Sequence, residues 1–184
     1  MLTLLAMERD LLLFIQEHIR QDWLTPIMKI FTALGEHGIF VIIVTLLFLC
    51  FSRTRKMGIS CACGLVLSFV VNNLIIKNVV ARIRPYNAID GLVCITNIPL
   101  DFSFPSGHTA VVFVMAIILF RRVSGKIGIF ALVVAALVAF SRLYLGVHYL
   151  SDVLVGAISG GMLGYLAARI VDKVILEKSN KNIL

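Results

Sequence analysis

The fold class that the sequence predicts is all-α, a polytopic bundle of helices that crosses a membrane several times. Three observations predict it. Hydrophobic residues make up 60% of the 184 positions, whereas a soluble domain is closer to half apolar. Apolar runs that approach the thickness of a bilayer follow one another along the chain. The lysines and arginines cluster between those runs, as charges that set membrane topology do.

The N-terminal segment, residues 1–34, is amphipathic rather than uniformly apolar. Acidic and basic side chains surround a short apolar stretch at 11–15, which favours a helix lying in the membrane interface over one that crosses it. Thr25 followed by Pro26 predicts the start of a second short helix. Residues 1–34 are therefore expected to form interfacial amphipathic helices.

Five membrane spans are predicted after this segment. Their apolar runs are residues 38–51, 57–76, 108–120, 127–140 and 153–171. The first run is short for a bilayer that needs about 20 residues, so its helix is expected to begin near Leu34. Residues 1–184 are interpreted as one domain, with a transmembrane core at 35–171 and a cytoplasmic tail at 172–184.

The basic clusters indicate how the chain is oriented. Clusters at 53–56 and 121–126, together with the lysines of the C-terminal tail, fall on one side of a five-span bundle. The positive-inside rule assigns that side to the cytoplasm. The sequence thus predicts a multi-pass protein of the cell membrane, with a cytoplasmic C-terminus and the intervening polar loops on the outer face.

A glycine repeat marks the last predicted span. Gly156, Gly160 and Gly164 recur every four residues, a small-xxx-small face that lets another helix approach closely. Packing inside the bundle is the preferred interpretation, and a dimer interface is the alternative. The protein is expected to be a monomer or a weak homodimer.

Composition excludes several other functions. The net charge is +7, but no basic stripe with interleaved aromatic residues is present, so nucleic-acid binding is not expected. The four cysteines lack the spacing of a zinc knuckle or a redox C-x-x-C pair. No carboxylate cluster or His/Cys set suited to a hydrolytic metal is visible, so neither a metal nor another cofactor is expected.

The stretch from Ser141 to Asp152 carries ionisable residues between two apolar segments. Such residues beside hydrocarbon are usually functional. His148 and Asp152 are four residues apart, so the carboxylate can hold one imidazole nitrogen and leave the other free to attack. Arg142 offers a fixed positive charge for an anion. The alternative interpretation is a helix end with a snorkelling arginine.

Two further motifs accompany this stretch. In chain order the three are K-x6-R-P at 77–85, P-S-G-H at 105–108 and S-R-x5-H-x3-D at 141–152. Together they closely resemble the three-part signature of the type 2 phosphatidic acid phosphatase superfamily. That superfamily contains integral-membrane lipid phosphatases, glucose-6-phosphatases, bacterial acid phosphatases and vanadium haloperoxidases. Every signature position is filled here.

The resemblance implies a catalytic role for three residues. His148 attacks phosphorus and forms a phosphohistidine, while Asp152 orients its ring. His108 protonates the leaving oxygen and then helps to activate water. For this sequence of steps His148 must be neutral and His108 charged at the moment of attack.

The same resemblance implies a phosphate-binding site made of cations and backbone amides. Lys77 and Arg84 are seven residues apart and are expected to project from one face of a helix that Pro85 ends. With Arg142 they supply three cations. The neighbouring Arg82 lies off that face and is expected to be structural or lipid-facing. Snorkelling at a helix end is the alternative for Lys77 and Arg84.

The P-S-G-H motif completes that site. It is expected to begin a helix whose free backbone amides point at the phosphate. Gly107 would allow close approach of the backbone, and Ser106 would add a hydroxyl donor.

The function expected from these residues is metal-independent hydrolysis of a lipid phosphate or pyrophosphate at the outer membrane face. Undecaprenyl pyrophosphate, phosphatidylglycerol phosphate and phosphatidic acid are the candidate substrates. The loop aromatics Tyr86, Phe102 and Phe104 are expected to line the path of the lipid. A phosphotransferase acting on a lipid or sugar acceptor, and a non-catalytic lipid-phosphate binding or transport protein, are the alternatives.

Overall fold

The regular structure is helical throughout the part of the chain that the computed structural model describes, residues 2–123 and 125–181. The helices are α1 (Leu2–Phe14), α2 (Leu24–Gly35), α3 (Ile39–Cys50), α4 (Arg55–Ser68), α5 (Lys77–Val80), α6 (Pro85–Ala88), α7 (Gly107–Arg122), α8 (Gly125–Tyr144) and α9 (Leu150–Lys181). Two π-helical segments, Ile15–Ile19 and Phe69–Ile76, follow α1 and α4, and a 3-10 turn at Glu36–Gly38 joins α2 to α3. The predicted all-α class is confirmed.

Three helical stretches of the described residues are long and apolar enough to cross a membrane: Arg55–Ala88, Gly125–Tyr144 and Leu150–Ile175. A fourth arises if α2 and α3, bent by 51° at their junction, count as one span. The helix α7 has only 16 residues, fewer than the roughly 20 that a straight span needs. Five spans therefore stay a prediction.

The short helix α7 lies at the centre of the bundle, between α4, α8 and α9. It contacts α9 along the glycine repeat. A Cβ added to Gly156 would lie 2.7 Å from the backbone oxygen of Ser106, which caps α7, and one added to Gly164 would lie 2.7 Å from a backbone oxygen of α7 itself. One added to Gly160 would overlap another backbone oxygen of α7. The prediction that this repeat serves packing within the bundle is confirmed.

The segment before the first predicted span also belongs to the bundle. α2 begins at Leu24, slightly earlier than Thr25-Pro26 predicts, and it packs against α8. It buries Met28, Thr32 and Gly35. Part of the predicted interfacial segment therefore contributes to the core and, through Thr32, to the site.

The predicted tail at 172–184 is not separate from the last helix. α9 continues without interruption to Lys181. Residues 182–184 lie outside the described part of the chain.

Candidate active site

A tight turn between α8 and α9 positions the central histidine. Gly146 adopts a left-handed backbone conformation with φ +76, and a Cβ there would lie 3.0 Å from the carbonyl oxygen of Val93. The turn therefore needs a residue without a side chain. It places Arg142 in the last turn of α8, His148 in the connection and Asp152 in the first turn of α9.

His148 and Asp152 meet as their spacing predicts. The Nδ1 atom of His148 lies 3.3 Å from Oδ2 of Asp152, which also accepts a 2.9 Å hydrogen bond from the backbone N–H of Tyr149. Both side chains are buried. A proton on Nδ1 would lie between the ring and the carboxylate and would leave the lone pair on Nε2. This is the tautomer that a nucleophilic histidine requires.

The charge state of His148 suits that role. Burial lowers the pKa of His148 well below its usual value, and the nearby charges of Arg142, Arg84 and Lys77 lower it further. Nε2 of His148 lies 3.3 Å from Nη1 of Arg84. Both effects favour the neutral form of the ring.

Lys77 and Arg84 converge, but not from one helical face. The helix α5 ends at Val80, because Ala81 adopts a left-handed conformation with φ 47. Pro85 then begins α6 instead of ending the earlier helix. The prediction of one continuous helix through Arg84 is wrong, because the left-handed backbone conformation of Ala81 interrupts the helix. Nothing in the sequence indicates that an alanine adopts this conformation there.

A carboxylate that the sequence analysis missed joins these two cations. Asp101 binds Nζ of Lys77 and Nη2 of Arg84, both at 2.5 Å, and its backbone oxygen accepts from Nε of Arg84 at 2.8 Å. Burial by itself would raise the pKa of the Asp101 carboxyl, but the pairing with Lys77 and Arg84 prevails and lowers it to about 2. Asp101 is the only acidic residue between positions 91 and 151. Its isolation in the sequence could have marked it as a candidate site residue.

Arg142 is the third cation of the predicted phosphate site. Its side chain is buried, and Nη1 donates a hydrogen bond to Oγ1 of Thr32 on α2. Its Nε atom is buried and has no hydrogen-bond partner in the structure. A guanidinium in that condition is suited to bind an anion.

The P-S-G-H motif begins α7, as predicted. Ser106 is the N-cap residue, and its Oγ accepts a 3.0 Å hydrogen bond from Oγ1 of Thr109. Its backbone N–H donates to the carbonyl oxygen of Asp152 at 3.0 Å, which joins the starts of α7 and α9. Ser106 is fully buried behind the cavity wall that Gly107 and His108 form. Its observed contacts are those of a cap.

The predicted site residues other than Ser106 and Asp152 line one cavity of about 960 Å³. Its polar end is formed by Lys77, Arg84, Gly107, His108, Arg142 and His148. Its other end is an apolar groove between α3 and α4, lined by Ile42, Leu46, Leu49, Ala62, Leu65, Val66 and Phe69. The cavity thus joins a cationic pocket to an apolar groove.

The loop aromatics do not line this groove, so their predicted role is wrong. Tyr86 instead donates a hydrogen bond to the carbonyl oxygen of Pro99 at 2.8 Å, within the loop itself. Side chains of α3, of α4 and of the π-helical segment after α4 line the groove instead.

Arg82 is neither lipid-facing nor remote from the site. Its guanidinium is largely buried and donates to Oδ1 of Asp152 at 2.7 Å and to Oε2 of Glu8 at 2.7 Å. The expectation was based on a helix that continues to Arg84. Because the helix ends at Val80, Arg82 turns toward α9 instead.

Within residues 2–123 and 125–181, no group of three or more His, Cys, Asp or Glu side chains is placed to hold a metal ion. The described cavity is lined by Lys77, Arg84 and Arg142 and by the first residues of α7, which are groups able to bind an anion.

Comparison with known proteins agrees with this arrangement. The sequence model of the PAP2 superfamily matches residues 57–176. An undecaprenyl-diphosphatase of Sulfolobus acidocaldarius is 35% identical over 127 residues, covering 69% of this chain and 61% of that protein, which is less than two thirds of its length. Phosphatidylglycerophosphatase B of Bacillus subtilis is 31% identical over 175 residues, covering 85% of this chain and 79% of that protein.

A solved structure is similar over nearly the whole chain. The crystal structure of a transmembrane PAP2-type phosphatidylglycerolphosphate phosphatase from Bacillus subtilis has a TM-score of 0.77 and 26% sequence identity, covering 94% of this chain and 88% of that one. All three relatives are named as phosphatases, the enzyme class expected from the sequence. With a superfamily match over more than half of its length, this chain belongs to the PAP2 superfamily.

Proposed function

We propose that the protein hydrolyses a lipid phosphate or pyrophosphate without a metal, through a phosphohistidine on His148. One observation carries the proposal. The cavity that His148 lines has three cations at its polar end and an apolar groove between α3 and α4 at the other. A substrate with a phosphate at the end of a hydrocarbon chain matches both ends.

The reaction proceeds in two steps. The Nε2 lone pair of His148 attacks phosphorus, the bond from phosphorus to the leaving oxygen breaks, and His108 gives that oxygen its proton. In the second step His108 takes a proton from water, the water oxygen attacks phosphorus, and the P–N bond breaks to release phosphate. Asp152 keeps Nδ1 of His148 protonated throughout.

The cations supply the electrostatic stabilisation. Lys77, Arg84 and Arg142 face the cavity together with two carboxylates, Asp101 and Glu36, so one positive charge remains in surplus. A phosphate dianion balances that charge and favours the protonated form of His108 that the first step needs. Charge that develops on the equatorial oxygens is met by preorganised donors.

The lipid class and the membrane side are part of the same proposal. Undecaprenyl pyrophosphate, phosphatidylglycerol phosphate and phosphatidic acid all fit an apolar groove that ends in a phosphate site. The first two correspond to the names of the relatives. The site is proposed to face the outside of the cell, with the C-terminus in the cytoplasm. The whole chain would act as one domain, because α1 and α2 both reach the site.

The proposal is tested with the full chain purified in detergent. Phosphate release is measured from these three lipids and from glucose 6-phosphate, in the presence of excess chelator and with orthovanadate as inhibitor. We expect release from at least one lipid far faster than from the sugar phosphate, no effect of chelator, and inhibition by vanadate. His148→Ala should remove both turnover and the acid-labile phosphoenzyme trapped with labelled lipid.

Other results would assign a different function. Equal or faster release from glucose 6-phosphate would contradict the lipid assignment. Near-normal rates in His148→Ala would contradict the phosphohistidine. Label that appears in a lipid or sugar acceptor instead of free phosphate would show a phosphotransferase. Absence of turnover on every substrate would leave a binding protein.

A further inference from the structure

A carboxylate on the N-terminal helix is buried although its neighbours are exposed. Glu8 has 3% of its surface accessible, whereas Met7 on the same helix has 69%. The side chains of Arg9 and Asp10 are also exposed and pair with each other at 2.9 Å. Burying an ionised carboxylate is costly unless it is paired and fully hydrogen-bonded. The position of Glu8 therefore depends on its partners.

Both hydrogen-bond partners of Glu8 are neighbours of Asp152. Oε1 of Glu8 accepts a 2.7 Å hydrogen bond from the backbone N–H of Ser151, in the first turn of α9. Oε2 accepts from Nη2 of Arg82, also at 2.7 Å. Ser151 directly precedes Asp152, so Glu8 fixes the backbone beside the aspartate and the guanidinium that binds it.

Arg82 holds one oxygen of Asp152 and leaves the other for His148. Its Nη1 donates to Oδ1 of Asp152 at 2.7 Å and to Oγ of Ser151 at 2.7 Å. Its Cζ lies 3.7 Å from the centroid of the Tyr149 ring, which restricts the plane of the guanidinium. Oδ2 of Asp152 is then directed to Nδ1 of His148.

The backbone before Arg82 is arranged for this contact. Ala81 has φ 47, a conformation that is unfavourable for a residue with a side chain. It ends α5 after Val80 and turns Arg82 toward α9. Strain of this kind persists where surrounding contacts hold it, and it is common at functional sites.

We propose that Glu8 and Arg82 are positioning residues for the reaction, a relay of charges from α1 through Arg82 to Asp152 that sets the orientation of His148. The inference rests on the proposed function, because it assigns roles relative to the nucleophile. Neither residue touches the cavity where the phosphate binds. Their effect should therefore fall on kcat rather than on affinity for phosphate.

The test compares Arg82→Ala, Arg82→Lys and Glu8→Gln with wild type, using phosphatidic acid or whichever lipid the wild type hydrolyses fastest. We expect Arg82→Ala to lower kcat about 10²- to 10³-fold. This is the scale seen when a residue that orients a functional side chain, or a hydrogen-bond donor that stabilises the transition state, is removed. KM and the inhibition constant of inorganic phosphate should change less than about threefold. Arg82→Lys should recover part of the rate, and so should guanidinium ion added to Arg82→Ala. Arg9→Gln, on the exposed side of α1, is the matched control and should behave as wild type.

Glu8 is examined by a double-mutant cycle. If it acts through Arg82, Glu8→Gln lowers kcat on its own but adds little in the Arg82→Ala background. If the two substitutions instead lower kcat by additive amounts of activation free energy, Glu8 does not act through Arg82.

Each outcome decides the inference. Wild-type kcat in Arg82→Ala or in Glu8→Gln overturns it. A loss of kcat that guanidinium and lysine do not restore, accompanied by weaker phosphate inhibition, shows a purely structural role and also overturns it. If Arg82→Ala does not fold, Arg82→Lys and Glu8→Gln decide by the same split between kcat and phosphate affinity. Failure of the proposed function is distinct, because the wild type itself would then show no phosphoenzyme.

Discussion

The carboxylate of Asp101 lies 2.5 Å from the guanidinium of Arg84, in the pocket where substrate phosphate is proposed to bind. The same carboxylate reaches Lys77 at 2.5 Å. A phosphate that uses these two cations must compete with a negative group of the chain itself. Asp101 is therefore expected to compete with substrate phosphate for Lys77 and Arg84.

Replacing this carboxylate should tighten anion binding. Asp101→Asn removes the competing charge, so the inhibition constant of inorganic phosphate is expected to fall roughly two- to fivefold, the scale of a half-exposed ion pair. Inhibition of lipid hydrolysis measures it. Asp90→Asn, an exposed acidic residue in the same connection, is the control. Unchanged or weaker inhibition in Asp101→Asn would show that Asp101 supports the site instead of competing for it.

Titration of Asp101 should not alter that effect over the usual assay range. The folded-state pKa of Asp101, about 2, lies below the unfolded value of about 3.9. Its pairing therefore stabilises the protein above the unfolded value and is lost only as pH falls through the folded one. Between about pH 5 and pH 9, any change in the ratio of the phosphate inhibition constants of wild type and Asp101→Asn should follow the ionisation of inorganic phosphate and not that of Asp101.

The nucleophile should remain active below the usual pKa of histidine. Burial and then Arg142, Arg84 and Lys77 lower the pKa of His148, so its neutral form persists as pH falls through about 6.5. The rate of phosphoenzyme formation in single turnovers, followed by rapid quench, is expected to show no decline centred near that pH. A decline in this rate at about pH 6.5, with a midpoint that moves to another pH in Asp152→Asn, would contradict the prediction. It would show that His148 has the ordinary pKa of histidine.

Disturbing the tautomer of His148 should abolish most of the rate while leaving the protein folded. Asp152→Asn keeps the shape of the side chain but replaces Oδ2 with a group that need not accept the Nδ1 proton. A fall in kcat of about 10⁴-fold is expected by analogy with the tautomer effect in other triads. The thermal midpoint in detergent is the check on folding. A fall of less than about tenfold would show that Asp152 does not set the tautomer.

The contact between α7 and α9 should tolerate no side chain at Gly160. Gly160→Leu would drive a side chain into the backbone of α7, and overpacking of this kind costs about 1–3 kcal/mol or more. A clear fall in the thermal midpoint is expected. Gly161→Ala on the same helix is the control, because its Cβ would meet only Ile117, at 3.5 Å. Equal stability of the two variants would contradict the close approach.

Membrane orientation is open to direct labelling. With Cys50 and Cys94 replaced by serine, a cysteine introduced as Asn97→Cys should react with an impermeant thiol reagent on intact cells. Lys126→Cys should react only after the cells are permeabilised. Both positions are exposed in the structure. The opposite pattern would place the site on the cytoplasmic face.

The sequence predicted which residues share a site more accurately than how they reach it. Its motif spacing anticipated that Lys77, Arg84 and Arg142 would lie near His108 and His148, and these five line one cavity. Their catalytic roles stay predictions. Membership of the superfamily and the all-α class are confirmed.

The residues that sequence reasoning missed are those whose partners are distant in the chain. Glu8 is 74 residues from Arg82, and Thr32 is 110 residues from Arg142. Periodicity reports on neighbours within one helix and not on such contacts. Arg82 was misplaced for a local reason, because the left-handed conformation of Ala81 belongs to a residue type that rarely adopts it.

The hydrogen bond between Glu8 and Ser151 also has a consequence for biosynthesis. The two residues are 143 positions apart, on the first and last helices of the described chain. The N-terminal helix leaves the ribosome long before α9 does. Glu8 can pair with Arg82 as soon as Arg82 has been synthesised, but Ser151 and Asp152 become available to them only with the start of α9. A nascent chain that already contains Lys77, Arg84 and His108 still lacks His148 and Asp152, the proposed nucleophile and the residue proposed to align it. On the proposed function, hydrolysis is therefore expected only after α9 has been synthesised and inserted.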